Sequence, residues 1–286
     1  MRRPISPSRS ADFPTRAVAV LVALVAALVT ALVLAPGMVA ARGRDSDLAD
    51  RHNLVDELRA AFIEYWRSGK EEYSPDLQRV VDYWFRYSVA KGVIASVLLI
   101  VLVVLGSLLW KAFLRDGGPG RARRVALLST GVSVVGIALF ALWTAVVGLQ
   151  GAAAPFASTL PLLGDASDGA LADTVDQIEQ QLTHSTGGSE QARPALDGIV
   201  SDYVRFHAVR AIAAVPIALV FMGASVVLWK KFARNGSADR RTRRVLVSFA
   251  SSSTVLSLFF ILIFVVNGGT AADPDSGLLE FFHGSW

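Results

Sequence analysis

The sequence predicts an all-α integral membrane protein. It reads as a tandem parallel repeat in which each copy is an outer amphipathic helix followed by a transmembrane helical hairpin. The two hairpins would form a four-helix bundle, preceded by an N-terminal signal or anchor helix. Three observations carry this reading. Apolar runs longer than the roughly 18 residues needed to cross a bilayer recur along the chain. Short basic clusters stand beside those runs, as the positive-inside pattern requires. The stretch Ser74–Val125 then recurs as Arg193–Val245: Trp110-Lys111 matches Trp229-Lys230, Arg86 matches Arg205 and Lys91 matches Arg210, each 119 residues on. One residue inserted in the turn puts Arg123-Arg124-Val125 against Arg243-Arg244-Val245 at 120.

Composition agrees. Only 18% of the 286 residues are charged and the mean hydropathy is +0.47, where a soluble domain carries about a quarter charged residues. The net charge of +4 comes from clusters at the ends of apolar runs. No basic face with interleaved aromatics exists, so nucleic acid is not an expected partner. The chain has no cysteine, which excludes disulfides, thiolate metal sites and cysteine nucleophiles.

Residues 1–41 form the first region. A basic segment precedes the apolar run Ala17–Gly37, and Val39-Ala40-Ala41 offers the small residues a signal peptidase reads. Two readings follow: a removed signal, which the Pro36-Gly37 break favours, or a retained anchor. Arg2-Arg3 fits a twin-arginine signal poorly, since only Ile5 supplies the apolar position after the pair.

The first repeat occupies 42–163. From Asp45 to Gly69 an apolar stripe of Leu54, Leu58, Ala61, Phe62, Tyr65 and Trp66 recurs at helical spacing, capped by Asp50 or Asn53 and ended at Ser68-Gly69. Packing against the protein itself is the plainest use of that stripe. Ser74-Pro75-Asp76 is a strong helix start, and nothing breaks the pattern until Gly117-Gly118-Pro119-Gly120. A helix of about 40 residues is about 60 Å long, twice the hydrocarbon thickness, so its first third stands outside the bilayer. The spans are about 89–113 and 125–149, joined by a basic turn placed in the cytoplasm.

The second repeat occupies 164–286, with spans at about 208–231 and 245–267 and an outer C-terminal tail ending in Leu278, Leu279, Phe281, Phe282 and Trp286. Val175-Asp176-Gln177-Ile178 matches Val55-Asp56-Glu57-Leu58 at 120, Ser185–Ser189 reads as a flexible linker, and Ala272-Asp273-Pro274 echoes Ala153-Ala154-Pro155. Pro216 has no counterpart and predicts a kink. Each copy holds an even number of spans, so both insert the same way round and are related about the membrane normal.

Chemistry inside a membrane announces itself by an ionisable group at depth. None lies in 92–109, 125–149, 211–228 or 245–267. His52, His184, His207 and His283 form no ligand pair at helical spacing, and no G-x-S-x-G, H-E-x-x-H or P-loop spacing appears. No enzyme activity, catalytic residue, metal or cofactor is expected. The suggestive residues are duplicated at the outer boundary: Asp82-Tyr83 with Asp202-Tyr203, Arg86 with Arg205, and Lys91 with Arg210. Aspartate and arginine four apart pair on one helix face. Alternatively Tyr83, Arg86, Lys91, Tyr203, Arg205 and Arg210 make a basic-aromatic collar for anionic lipid or a wall polymer.

The segments DYWFRYSVAKG (82–92), SVVLWKKFARNGSADRRTRRVLVSF (225–249) and AADP (271–274) resemble a family of uncharacterised multi-pass membrane proteins from actinobacteria, some labelled with twin-arginine signals. The resemblance spans most of the chain after its first apolar run and implies no activity. The expected function is therefore a non-enzymatic structural or interaction protein of the cell envelope, in contact with membrane lipids and with another envelope protein or an anionic polymer. The alternative is a small pore or transporter-accessory protein. Its candidate polar path, Ser129, Ser133, Ser248, Ser251 and Ser252, does not superpose at the 120 offset.

Overall fold

The computed structural model describes residues 13–115, 121–164, 169–185, 194–234 and 240–284. The twin-arginine pair, the glycine-rich turn at 117–120, most of the 185–189 linker and Trp286 lie outside the described residues, as do the side chains of His184, Arg123 and Arg124. Among the described residues there are nine α-helices and no strand. They are α1 (Phe13–Ala40), α2 (Arg51–Ser68), α3 (Pro75–Arg115), α4 (Arg121–Ala153), α5 (Pro155–Thr159), α6 (Gly169–Ser185), α7 (Pro194–Arg234), α8 (Arg240–Ala272) and α9 (Pro274–Phe282). Five are long and apolar enough to cross a membrane: α1, α3, α4, α7 and α8. The chain is an all-α membrane protein.

Local chemistry sets the boundaries. The Asp50 carboxylate accepts from the amides of His52 (2.8 Å) and Asn53 (3.3 Å) to start α2. Gly69, at φ 64°, ends it in a left-handed conformation that costs glycine nothing. Ser74 Oγ accepts from the Leu77 amide at 3.4 Å, with Pro75 at the first helical position of α3. Neither proline inside a long helix ends it. Helix α1 continues through Pro36-Gly37 to Ala40, and α7 is one helix across Pro216. In an apolar stretch every other amide is satisfied only by staying helical, so one missing donor is tolerated.

α3 starts at Pro75 and α7 is helical from Pro194, 119 residues on, while α4 and α8 end at Ala153 and Ala272, also 119 apart. The residues after α4 and α8 adopt nearly the same backbone: Ala154 at φ −136°, ψ 71° and Asp273 at φ −130°, ψ 76°. A proline-led helix follows each corner. Burial along α3 and α7 keeps step at 119, with Leu77 and Leu196, Val80 and Ile199, and Tyr83 and Asp202 all buried. This corrects the pairing of Asp82 with Asp202. Asp82 is exposed and bonded by Gln78 at 2.7 Å, whereas Asp202 is buried, because two helices unbroken from Pro75 and Pro194 leave no room for a one-residue slip.

Packing divides the chain into two compact units whose limits cut across the sequence regions 42–163 and 164–286. One comprises residues up to Gly43 and 86–149; the other comprises 44–85 and 150–286. In the first, Leu32 of α1, Ala95, Leu98, Leu102 and Leu105 of α3, and Val134 and Ala141 of α4 form one buried cluster. In the second, the α2 stripe predicted from sequence is wholly buried, with Phe62, Tyr65 and Trp66 at 0% exposure. Trp66 Nε1 donates to Gln177 of α6 at 3.0 Å, and the Tyr65 hydroxyl donates to the Ala195 carbonyl at the start of α7, also at 3.0 Å. Phe156 of α5 closes the cluster against Phe62, Tyr65 and Tyr73, ring centres 5.2–6.2 Å apart.

Candidate functional site

The boundary positions singled out from sequence do not all face the same way. Tyr83 and Tyr203 are buried at 3% and 7% exposure, so neither presents a ring to lipid. The aromatic members of the collar lie one turn further on. Lys91 Nζ stands over the Tyr87 ring at 5.5 Å, and Arg210 stands over the Phe206 ring at 5.3 Å. The spacing is i, i+4 in both helices, which sets cation and ring on one face, and a cation over a ring is attracted to its negative face. Tyr87 and Phe206, like Lys91 and Arg210, are 119 apart. Sequence reasoning missed Tyr87 and Phe206 because Tyr83 and Tyr203 carried identical letters. The usable signal was the four-residue spacing to a base.

Each basic residue has local work. Arg86 Nε donates to the Ala40 carbonyl at 3.3 Å. Arg205, exposed, sits 3.9 Å from Asp202 at i, i+3, rather than pairing four residues apart. Asp202 in turn accepts from the Ala157 amide at 2.8 Å, and so caps the short helix α5 from a neighbouring helix. Arg210 Nε donates to Gln150 Oε1 at 2.9 Å, and Gln150 Nε2 donates to the Phe206 carbonyl at 3.0 Å.

Beside them His207 Nδ1 lies 3.0 Å from Asn267 Oδ1, and Asn267 Nδ2 donates to the Ile263 carbonyl at 2.9 Å. That second bond orients the amide with its oxygen toward the imidazole. Nδ1 therefore carries the proton and Nε2 the lone pair in the neutral ring. At the matching positions of the first hairpin stand Ser88 and Gly148. There the two backbones nearly touch: a Cβ on Gly148 would lie 2.5 Å from Gly92 Cα and 2.6 Å from Gly92 N.

Away from the spans, Arg79 collects three carboxylates: Asp47 at 2.5 Å, Asp45 at 3.2 Å and Glu57 at 3.5 Å. Its hydrogen bond holds the Asp47 carboxyl below the usual range. Burial, reinforced by Glu71, pushes the Tyr65 hydroxyl up to about 12, and burial also raises that of Tyr73.

Hydroxyls in the apolar helices bond in two ways: Ser96, Ser107 and Thr144 donate to the carbonyl a turn back in their own helix, while others join helices. Ser225 and Thr254 share a 2.7 Å bond, and Ser257 donates to the Ala218 carbonyl at 3.2 Å, each tying α7 to α8. The helix ends set the offset between α4 and α8 at 119. At that offset Ser129 coincides with Ser248 and Ser133 with Ser252, which corrects the 120 comparison. All four are exposed. Among the described residues no group of three His, Asp or Glu side chains could hold a metal ion. Compared with family models, curated proteins and solved structures, the chain finds no match.

Proposed function

We propose that this chain is a non-enzymatic membrane protein of the cell envelope, made by tandem duplication of one helical unit, that grips anionic lipid headgroups at its outer boundary. The helical cluster of α2, α5, α6 and the first turns of α3 and α7 stands outside and serves as a docking body for another envelope protein. The basic turns are cytoplasmic and α9 is external. The observation that carries this reading is the twofold occurrence of one cation-over-ring pair, Lys91–Tyr87 and Arg210–Phe206, at the same register of α3 and α7. Matching corners at Ala154 and Asp273, each followed by a proline-led helix, support the duplication. The resemblance to the actinobacterial proteins noted above fits the same reading. A juxtamembrane basic residue contributes about 1 kcal/mol toward anionic lipid. Replacing both Lys91 and Arg210 by alanine is thus expected to weaken phosphatidylglycerol retention about tenfold or more, read by native mass spectrometry from nanodiscs. Unchanged retention would sink the lipid reading.

A second reading, a small pore, is favoured by the coincidence of Ser129 with Ser248 and Ser133 with Ser252. Its test is cation flux in proteoliposomes. A pore requires flux that disappears when the four serines become alanine, and an absence of flux refutes it.

A further inference from the structure

We infer that α1 is a permanent transmembrane helix, seated on the first hairpin, and that the peptide bond between Ala41 and Arg42 is not a processing site despite the small residues before it. The inference is independent of the lipid proposal. Val18, Leu21, Val25, Leu28 and Leu32 all pack into the cluster formed by α3 and α4. Their spacing alternates three and four, the seam of a helix that lies along a partner. Such a stripe is not needed by a segment whose task ends at export. The Ala40 carbonyl accepts from Arg86 of α3, which fixes where the two antiparallel helices meet. Carrying that register inward at equal rise sets Leu28 level with Leu98 and Leu21 with Leu105, and sets Leu32, Val25 and Val18 within one residue of Ala95, Leu102 and Leu109. Each of these belongs to the same packed cluster. One hydrogen bond and one seam thus agree along the whole length of α1.

The cleavage-like tripeptide is also in the wrong state for a protease. Val39 and Ala40 are helical, Ala40 is fully buried, and the Ala41 amide still donates to the Gly37 carbonyl at 2.9 Å. Proteolysis favours exposed, irregular backbone. The rest of α1 suits lipid: Val20, Val33, Leu34 and Met38 are exposed and apolar. With α1 retained, the chain has five spans, and its two ends lie on opposite sides of the membrane.

The full chain with a C-terminal tag, purified from membranes of cells that contain signal peptidase, provides the test. N-terminal sequencing and intact mass are expected to show residues before Ala41 still present. A chain beginning near Arg42 overturns the inference. Because the protein lacks cysteine, a second measurement reads the seat directly. Val25→Cys with Leu102→Cys, bridged by a short bis-maleimide, is expected to hold the two fragments together after cutting at a protease site placed in the turn following Gly69. Val25→Cys with Val103→Cys, one residue off the seam and exposed, is expected to release them. Equal bridging of both pairs, or of neither, refutes the register.

Discussion

The two hairpins solve one problem, holding two helices together near the same end, by opposite means. In the first, α3 and α4 approach until Gly92 and Gly148 meet backbone to backbone, with Ser88 beside them. In the second, His207 and Asn267 occupy the positions of Ser88 and Gly148 and join through a side-chain hydrogen bond. Small residues allow close approach and dispersion contact over a long stretch. A buried polar pair gives direction and specificity, at the risk of a costly orphan if either member is lost. One hairpin is held by shape and the other by chemistry.

The largest effect is expected from attacking shape. Gly148→Ala forces a methyl group into the Gly92 backbone, and overpacking of this kind costs about 1–3 kcal/mol. The measurement is the melting temperature of the purified protein in detergent. A change indistinguishable from wild type would show that the helices do not meet as closely as described. Next comes chemistry. Asn267→Ala removes the acceptor for His207 and is expected to cost about 1–2 kcal/mol. The double change His207→Ser with Asn267→Gly, which installs the residues of the first hairpin, is expected to be less harmful than the single one, since no unpaired imidazole remains.

The smallest effect tests the same contrast in the helical cluster, where α2 ends in Tyr65-Trp66 and α6 has Ser185 at the place of Tyr65. Tyr65→Phe loses one neutral hydrogen bond, about 1 kcal/mol. It also changes the alkaline limb of stability. The folded chain holds the Tyr65 proton to about 12 against an unfolded value of 10. Its stabilising contribution is therefore complete below pH 10 and falls as pH rises from 10 to about 12. The Phe variant is expected to show a shallower decline across that window.

What could be read from sequence follows from the kind of signal each feature gives. The four hairpin spans, and an N-terminal apolar helix read as signal or anchor, were legible because hydrophobicity over 18 or more residues outweighs any local exception. The same strength explains why Pro36, legible as a break, does not end its helix, and why α7 runs on through Pro216. The α2 stripe was legible because six apolar residues kept a single period, although its partners, Gln177, Ala195 and Phe156, come from far along the chain and left no local trace. At the boundary, repeated letters misled. Asp-Tyr at 82–83 and 202–203 drew the eye to a 120 offset, while the backbone holds 119 and puts Tyr83 level with Asp202. The repeat identified Lys91 and Arg210, but the rings beneath them, Tyr87 and Phe206, were legible only through the four-residue spacing that was not used. The His207–Asn267 pair joins residues 60 apart, and only folding brings them together.

The Trp66–Gln177 and Tyr65–Ala195 bonds have a consequence for how the molecule is made. A ribosome releases α2 well before α6 and the start of α7 exist. During that interval Leu54, Leu58, Phe62, Tyr65 and Trp66 lack the later partners that bury them in the finished fold. The cluster of α2, α5 and α6 is therefore completed only once the start of α7 has been made.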